Sequence, residues 1–165
     1  MNLTRNLVLV CILAVNLICF PITIAKGNET ESQVEWKTYQ NKSLGLSILI
    51  PHFFKVTEEG ERHVRIDDNH SPENISLTIT SSPLKNLSKT IEQYTKSISK
   101  PERRIVNKQQ VTMFMSMTKL DYKENLNMVI LLQSGDDTLL HFAFIVTDNA
   151  LNQLPMRIFS TLKLD

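Results

Sequence analysis

Met113, Met115 and Met117 alternate along one predicted strand, which places three thioethers on one face. Thioether sulfur is a soft ligand that suits Cu(I). Alternate strand residues are about 6.7 Å apart and the outer pair about 13 Å, so one straight strand cannot close three sulfurs on one ion. Methionine also fills core gaps, and Val111 extends the same face, so core packing is the expected role. His63, Asp67, Asp68 and His70 form the densest group of hard or borderline ligands. Asp67-Asp68-Asn69 in a loop suits Ca²⁺, and His70 extends the set toward Zn²⁺. The spacing matches neither an EF-hand nor HExxH, and Asp and Asn before Pro72 also bond their own backbone in turns. Asp67, Asp68 and His70 are therefore weak metal candidates in a solvated loop.

His141, between Leu140 and Phe142, reads as a neutral, hydrogen-bonded histidine at the core edge. His52-Phe53-Phe54 is either a partner-facing patch, with Phe53 and Phe54 as weak binding candidates, or a staple beneath a sheet. The chain has no G-x-S-x-G, and its four glycines form neither a P-loop nor G-x-G-x-x-G. Glu58-Glu59 and Asp136-Asp137 are adjacent turn residues that do not face each other as a catalytic dyad must. No catalytic residue and no cofactor are expected. Four sequons, at Asn28, Asn41, Asn74 and Asn86, fall in predicted loops or element boundaries and are candidate glycan acceptors if the host modifies them.

The elements that position these residues begin after a leader. Met1 to Asn6 carry one cation, Arg5, and Leu7 to Phe20 form an almost unbroken apolar run. Pro21 and Thr23-Ile24-Ala25 then supply a small-residue cleavage site, so residues 1–25 read as a secretory signal peptide. A retained anchor through residues 7–25 is the alternative, although the length of about 20 residues it needs is reached only by including Asn16, Pro21 and Thr23. The protein is expected to be secreted or extracytoplasmic, with membrane contact only through an uncleaved leader. Both cysteines, Cys11 and Cys19, lie in this leader, so no disulfide, thiol nucleophile or Cys-ligated zinc follows it. Without Arg5, 17 basic side chains face 17 acidic ones, a balance that gives no footprint for nucleic acid.

Residues 26–34 are a polar spacer, and residues 35–165 carry no repeat or second linker, so one domain is expected. Alternation predicts strands over Glu35–Tyr39, Leu44–Ile50, His63–Ile66 and Ile75–Thr80. Leu87, Ile91, Tyr94 and Ile98 form a helical stripe, with Ser88 as the expected N-cap and Pro101 beyond the end. Strands resume over Arg104–Lys108, Val111–Asp121, Leu126–Ser134 and Thr138–Thr147, the last two joined at Gly135-Asp136-Asp137. Leu151, Leu154, Ile158 and Leu162 form a terminal stripe that Pro155 kinks or restarts. Strands joined by short turns make this an α+β domain.

Tyr39-x-Asn41-x-x-x-Gly45-x-x-Ile48-x-x-Pro51 resembles the opening of PsbP-like domains, the extrinsic photosystem II subunits and their relatives. Leu154-Pro155-x-x-Ile158-Phe159-Ser160 resembles their closing helix. The resemblance spans Trp36 to Leu164. It implies an antiparallel sheet of about six to eight strands sandwiched by two helices, here preceded by the signal helix. It also implies a protein-binding or assembly module, since relatives occur in nuclear import and in prokaryotic envelopes. His52-Phe53-Phe54 departs from the pattern, which often has a tryptophan after the proline, and no long docking extension precedes the domain. The expectation is an exported, non-catalytic module that binds another protein or stabilises an envelope complex at the outer face of a membrane. The alternative is a small-molecule or metal-binding envelope protein.

Overall fold

Alternating apolar residues build most of the domain. The computed structural model describes residues 34–120 and 123–164; the leader, the first sequon and nearly all of the spacer lie outside them. The described strands are β1 (Trp36–Asn41), β2 (Leu46–Pro51), β3 (Phe54–Gly60), β4 (His63–Asp68), β5 (Ile75–Pro83), β6 (Glu102–Val106), β7 (Gln109–Leu120), β8 (Lys123–Ser134), β9 (Thr138–Val146) and β10 (Lys163–Leu164). Two helices are α1 (Leu87–Ser97) and α2 (Leu154–Phe159). Every strand pair is antiparallel.

The strands form two sheets, ordered β1-β2-β10 and β3-β4-β5-β9-β8-β7-β6. The expected single sheet is thus corrected to two. The large sheet is buried on both faces where its layers cover it, which is why β8 reads Met128-Val129-Ile130-Leu131-Leu132 without a polar break. On one face, Phe114, Val129, Leu131 and Leu139 meet the α1 stripe of Leu87, Ile91, Tyr94 and Ile98. On the other, Val64, Ile66, Leu77, Ile79, Ile130 and Phe142 meet β2 and α2. The small sheet therefore shares a layer with α2.

Three local expectations change. The helix starts at Leu87 after a 3₁₀ turn at Leu84–Asn86, so Ser88 lies inside it and Asn86 takes the cap position without a side-chain bond. Pro155 sits in the first turn of α2, where its missing N–H costs nothing, so it restarts rather than kinks the helix. Asn107 and Lys108, read as strand, have φ of 51° and 64° and form the two-residue turn between β6 and β7.

Candidate functional site

His63, Asp67, Asp68 and His70 do not assemble a cation site. Asp67 and Asp68 were expected in a solvated loop but are buried in β4. Each carboxylate already has partners. Asp67 accepts from Thr57 Oγ1 at 2.7 Å and from Arg65 Nε at 3.0 and 3.1 Å. Asp68 Oδ1 accepts from the backbone N–H groups of His70 and Ser71 at 2.8 and 3.3 Å, closing the turn after the strand. His63 lies near the other end of β4 with its Nε2 3.1 Å from Glu58 Oε2. Among the described residues, no group of three or more His, Cys, Asp or Glu side chains is placed to hold a metal ion.

His141 makes a more reactive pair. Its Nε2 lies 2.8 Å from Ser82 Oγ across the β5–β9 ladder, with Tyr94 of α1 packed edge-on at 6.3 Å between ring centroids. Burial pushes the imidazole below its ordinary pKa and the Tyr94 phenol above its own. Ser82 also lines a cavity of about 770 Å³ shared with Lys42, Glu61, Arg62 and Asp137. A hydroxyl beside a neutral imidazole is half of a nucleophilic pair; the other half is a carboxylate that orients the ring. Among the described residues, no carboxylate is hydrogen-bonded to His141, so the arrangement satisfies a half-buried histidine.

The aromatic segment lies against the core. Phe54 begins β3, is 1% exposed, and stacks edge-on with Phe53 at 5.2 Å. Of the two alternatives for this segment, the burial of the Phe54 ring fits the staple and not a partner-facing patch, while Phe53 is half-buried. Of the described sequons, Asn41 is 4% exposed and its Nδ2 donates to Tyr39 Oη and Glu59 Oε1, both at 3.0 Å. Burial and the Glu59 carboxylate raise the Tyr39 phenol pKa, although the Asn41 bond acts in the opposite direction. Asn74 is half-buried beside the start of β5, and Asn86 is exposed.

Leu49 and Ile145 are exposed singly, and two further surfaces expose large apolar side chains. The expected burial of Met113, Met115 and Met117 on one face holds for Met113 alone; Met115 is 44% and Met117 51% exposed. The reason is register. β6 pairs with β7 only as far as Met113, opposite Glu102, so Met115 and Met117 lie on a stretch of β7 that has β8 on one side and no paired strand on the other. There the two methionines line a groove of about 490 Å³ with Leu126, Met128, Met156 and Arg157. Sequence reasoning passed over Met128 and Met156; recognising a β7–β8 hairpin would have set Met128 directly opposite Met115. The second surface is β6, an outer strand of the large sheet, where Ile105 is 78% exposed between Arg103, Arg104 and Lys108.

No protein-family model matches the sequence, and no curated protein matches it. Solved structures do. Cyanobacterial PsbP from Synechocystis sp. PCC 6803 superposes with a TM-score of 0.59 at 10% identity, covering 80% of this chain and 94% of that one. The fold is PsbP-like. The Ran-binding protein Mog1p of Saccharomyces cerevisiae gives 0.51 at 13% identity, covering 79% and 96% of the two chains. A crystal structure from Bacteroides thetaiotaomicron VPI-5482 gives 0.57 at 13% identity, covering 78% of this chain and 48% of that one, so this chain spans about half its length.

The residues of the PsbP-like opening motif have local structural jobs. Asn41 Oδ1 accepts from Leu44 N–H at 2.8 Å, closing the turn from β1 to β2. Gly45 has φ of +60° there, a conformation that glycine adopts without steric cost. Ile48 is in the core, and Pro51 ends β2. In the closing motif, Leu154, Pro155, Ile158 and Phe159 are the buried residues of α2. The motif residues thus have roles in the turns and core of the PsbP-like fold.

Proposed function

We propose that this chain is an exported, non-catalytic module that binds another protein at the outer face of a membrane, using the β6 edge. The observation that carries the reading is Ile105, 78% exposed on an outer strand whose other described neighbour is β7 alone. An open strand edge is a template for an extended segment of another chain. Arg104 is paired with Glu102 of the same strand at 2.6 Å, and the exposed Arg103 beside it attracts an acidic segment. Ile105 then supplies the apolar contact. One protein of similar fold is described as Ran-binding, which agrees with a protein-docking role for this architecture. The apolar run at 7–20 and the Thr23-Ile24-Ala25 exit support export.

Affinity capture from the native envelope tests this reading by comparing the wild-type chain with an Arg103→Glu/Ile105→Asp variant. The expected result is a partner recovered with the former and lost with the latter. A capture in which recovery of every protein is indifferent to the β6 variant overturns it. Intact-mass measurement of the captured chain reads leader cleavage and glycosylation together.

A further inference from the structure

Five methionines follow residue 25, and four of them, Met115, Met117, Met128 and Met156, line the single groove beside α2. Its other lining residues are Leu126, Asn152, Gln153 and Arg157, so the lining contains no carboxylate, imidazole or thiol. Core packing explains Met113, which is buried, but not its neighbours on the same face that stand open to solvent. We propose that this groove is a binding site for a soft monovalent cation, Cu(I), held by the thioethers of Met115, Met117 and Met128.

Register supplies the geometry that one strand cannot. Met115 lies directly opposite Met128, and Met117 is diagonal to it. Facing pairs have Cβ atoms about 5 Å apart, diagonal ones about 7–8 Å, and alternate residues on one strand about 6.7 Å. The far corner of the three-methionine stripe is thereby replaced by a residue across the ladder. A triangle of that size can be closed by side chains with three rotatable bonds. Met128 is buried at the floor, while Met115 and Met117 form an open rim that gives an ion its entry path. Arg157, a cation in the lining, holds its guanidinium over the Trp36 ring at 5.4 Å to the centroid. Met156 offers a fourth sulfur from α2. Thioethers select Cu(I) over Zn²⁺ or Ca²⁺ and, unlike thiols and imidazoles, release no proton on binding.

The test is an anaerobic titration of Cu(I) held by the chromophoric chelator bicinchoninate. It uses the full chain carrying Cys11→Ser and Cys19→Ser, so that no thiolate competes. The chain should withdraw one Cu(I), with the same affinity at about pH 7.5 and 5.5, a range across which histidine sites lose their ligand. Met115→Leu, Met117→Leu and Met128→Leu preserve side-chain volume and hence the fold. Each should weaken binding about tenfold or more, the least that loss of even a ligand-orienting partner costs a metal site. Met113→Leu should leave binding unchanged. No withdrawal of Cu(I), equal binding by the Met115→Leu/Met117→Leu double variant, or binding that disappears at the lower pH overturns the proposal. None of these results depends on the β6 edge.

Discussion

Ser82 Oγ and His141 Nε2 lie 2.8 Å apart on neighbouring strands, on the face of the large sheet that α1 covers. Burial holds the imidazole pKa below its ordinary 6.5, so the unfolded chain takes up the proton first as pH falls. The stabilising contribution of the neutral ring is thus complete above 6.5 and declines as pH drops from there through the folded-state value. Urea midpoints should fall between pH 7 and 5. His141→Gln, which keeps a polar group near Ser82 without a titrating one, should flatten that part of the profile. An unchanged profile would exclude His141 as its source.

Asn41 joins the β1–β2 turn to β3 through bonds from Nδ2 to Tyr39 and Glu59 and from Leu44 N–H to Oδ1. Asn41→Ala strands the buried Leu44 amide, at a cost of about 1–3 kcal/mol. Urea denaturation should show a lower midpoint with an unchanged slope. The same atoms bear on glycosylation: a sugar on Nδ2 has no room at a 4% exposed side chain. In a glycosylating host, peptide mapping of the folded protein should therefore find the exposed Asn86 modified and Asn41 bare.

The helix α1 and strands β5, β7 and β9 were legible because their apolar residues recur at the periods of helix and strand, and β8 because its apolar run is unbroken. β3 was not, since Phe54 is its one buried residue and Glu58, Glu59 and Gly60 give it no alternation. Asp67 and Asp68 looked like loop because aspartate disfavours strands. The Thr57 and Arg65 partners that reverse the preference at Asp67 are visible only once β3 and β4 pair. Met115 and Met117 were assigned to the right face but the wrong depth. Burial of a strand residue depends on where neighbouring strands stop, and that is a property of register. The β6 edge was hidden for the same reason: sequence order does not say which strand lies outermost.

Phe159 of α2 packs edge-on against Phe142 of β9, with ring centroids 5.0 Å apart and planes at 79°. Both are fully buried, and the contact joins the helix to the large sheet. Phe159→Ala removes the ring and leaves a cavity, with an expected loss of about 3–5 kcal/mol. Phe159→Leu should retain more than half of that stability because it refills most of the volume. Equilibrium denaturation of both variants checks the ranking, and equal losses would argue that α2 is peripheral to the fold.

Asp67 distinguishes a structural carboxylate from a metal ligand. It accepts from Thr57 and Arg65 while buried, so Asp67→Ala leaves both donors without their acceptor. Hydrogen bonds to a charged group contribute about 1.5–3 kcal/mol each when lost this way, and the half-exposed guanidinium recovers part of its share from water, so a net loss of about 2 kcal/mol is expected. Asp67→Asn should lose less, because its amide oxygen can still accept one bond. Thermal unfolding with and without added Ca²⁺ or Zn²⁺ supplies the second reading. A carboxylate used for folding gives the wild type the same midpoint with either ion, whereas a ligand raises it in the wild type but not in Asp67→Ala. Only the second pattern would return Asp67, Asp68 and His70 to consideration as a cation site.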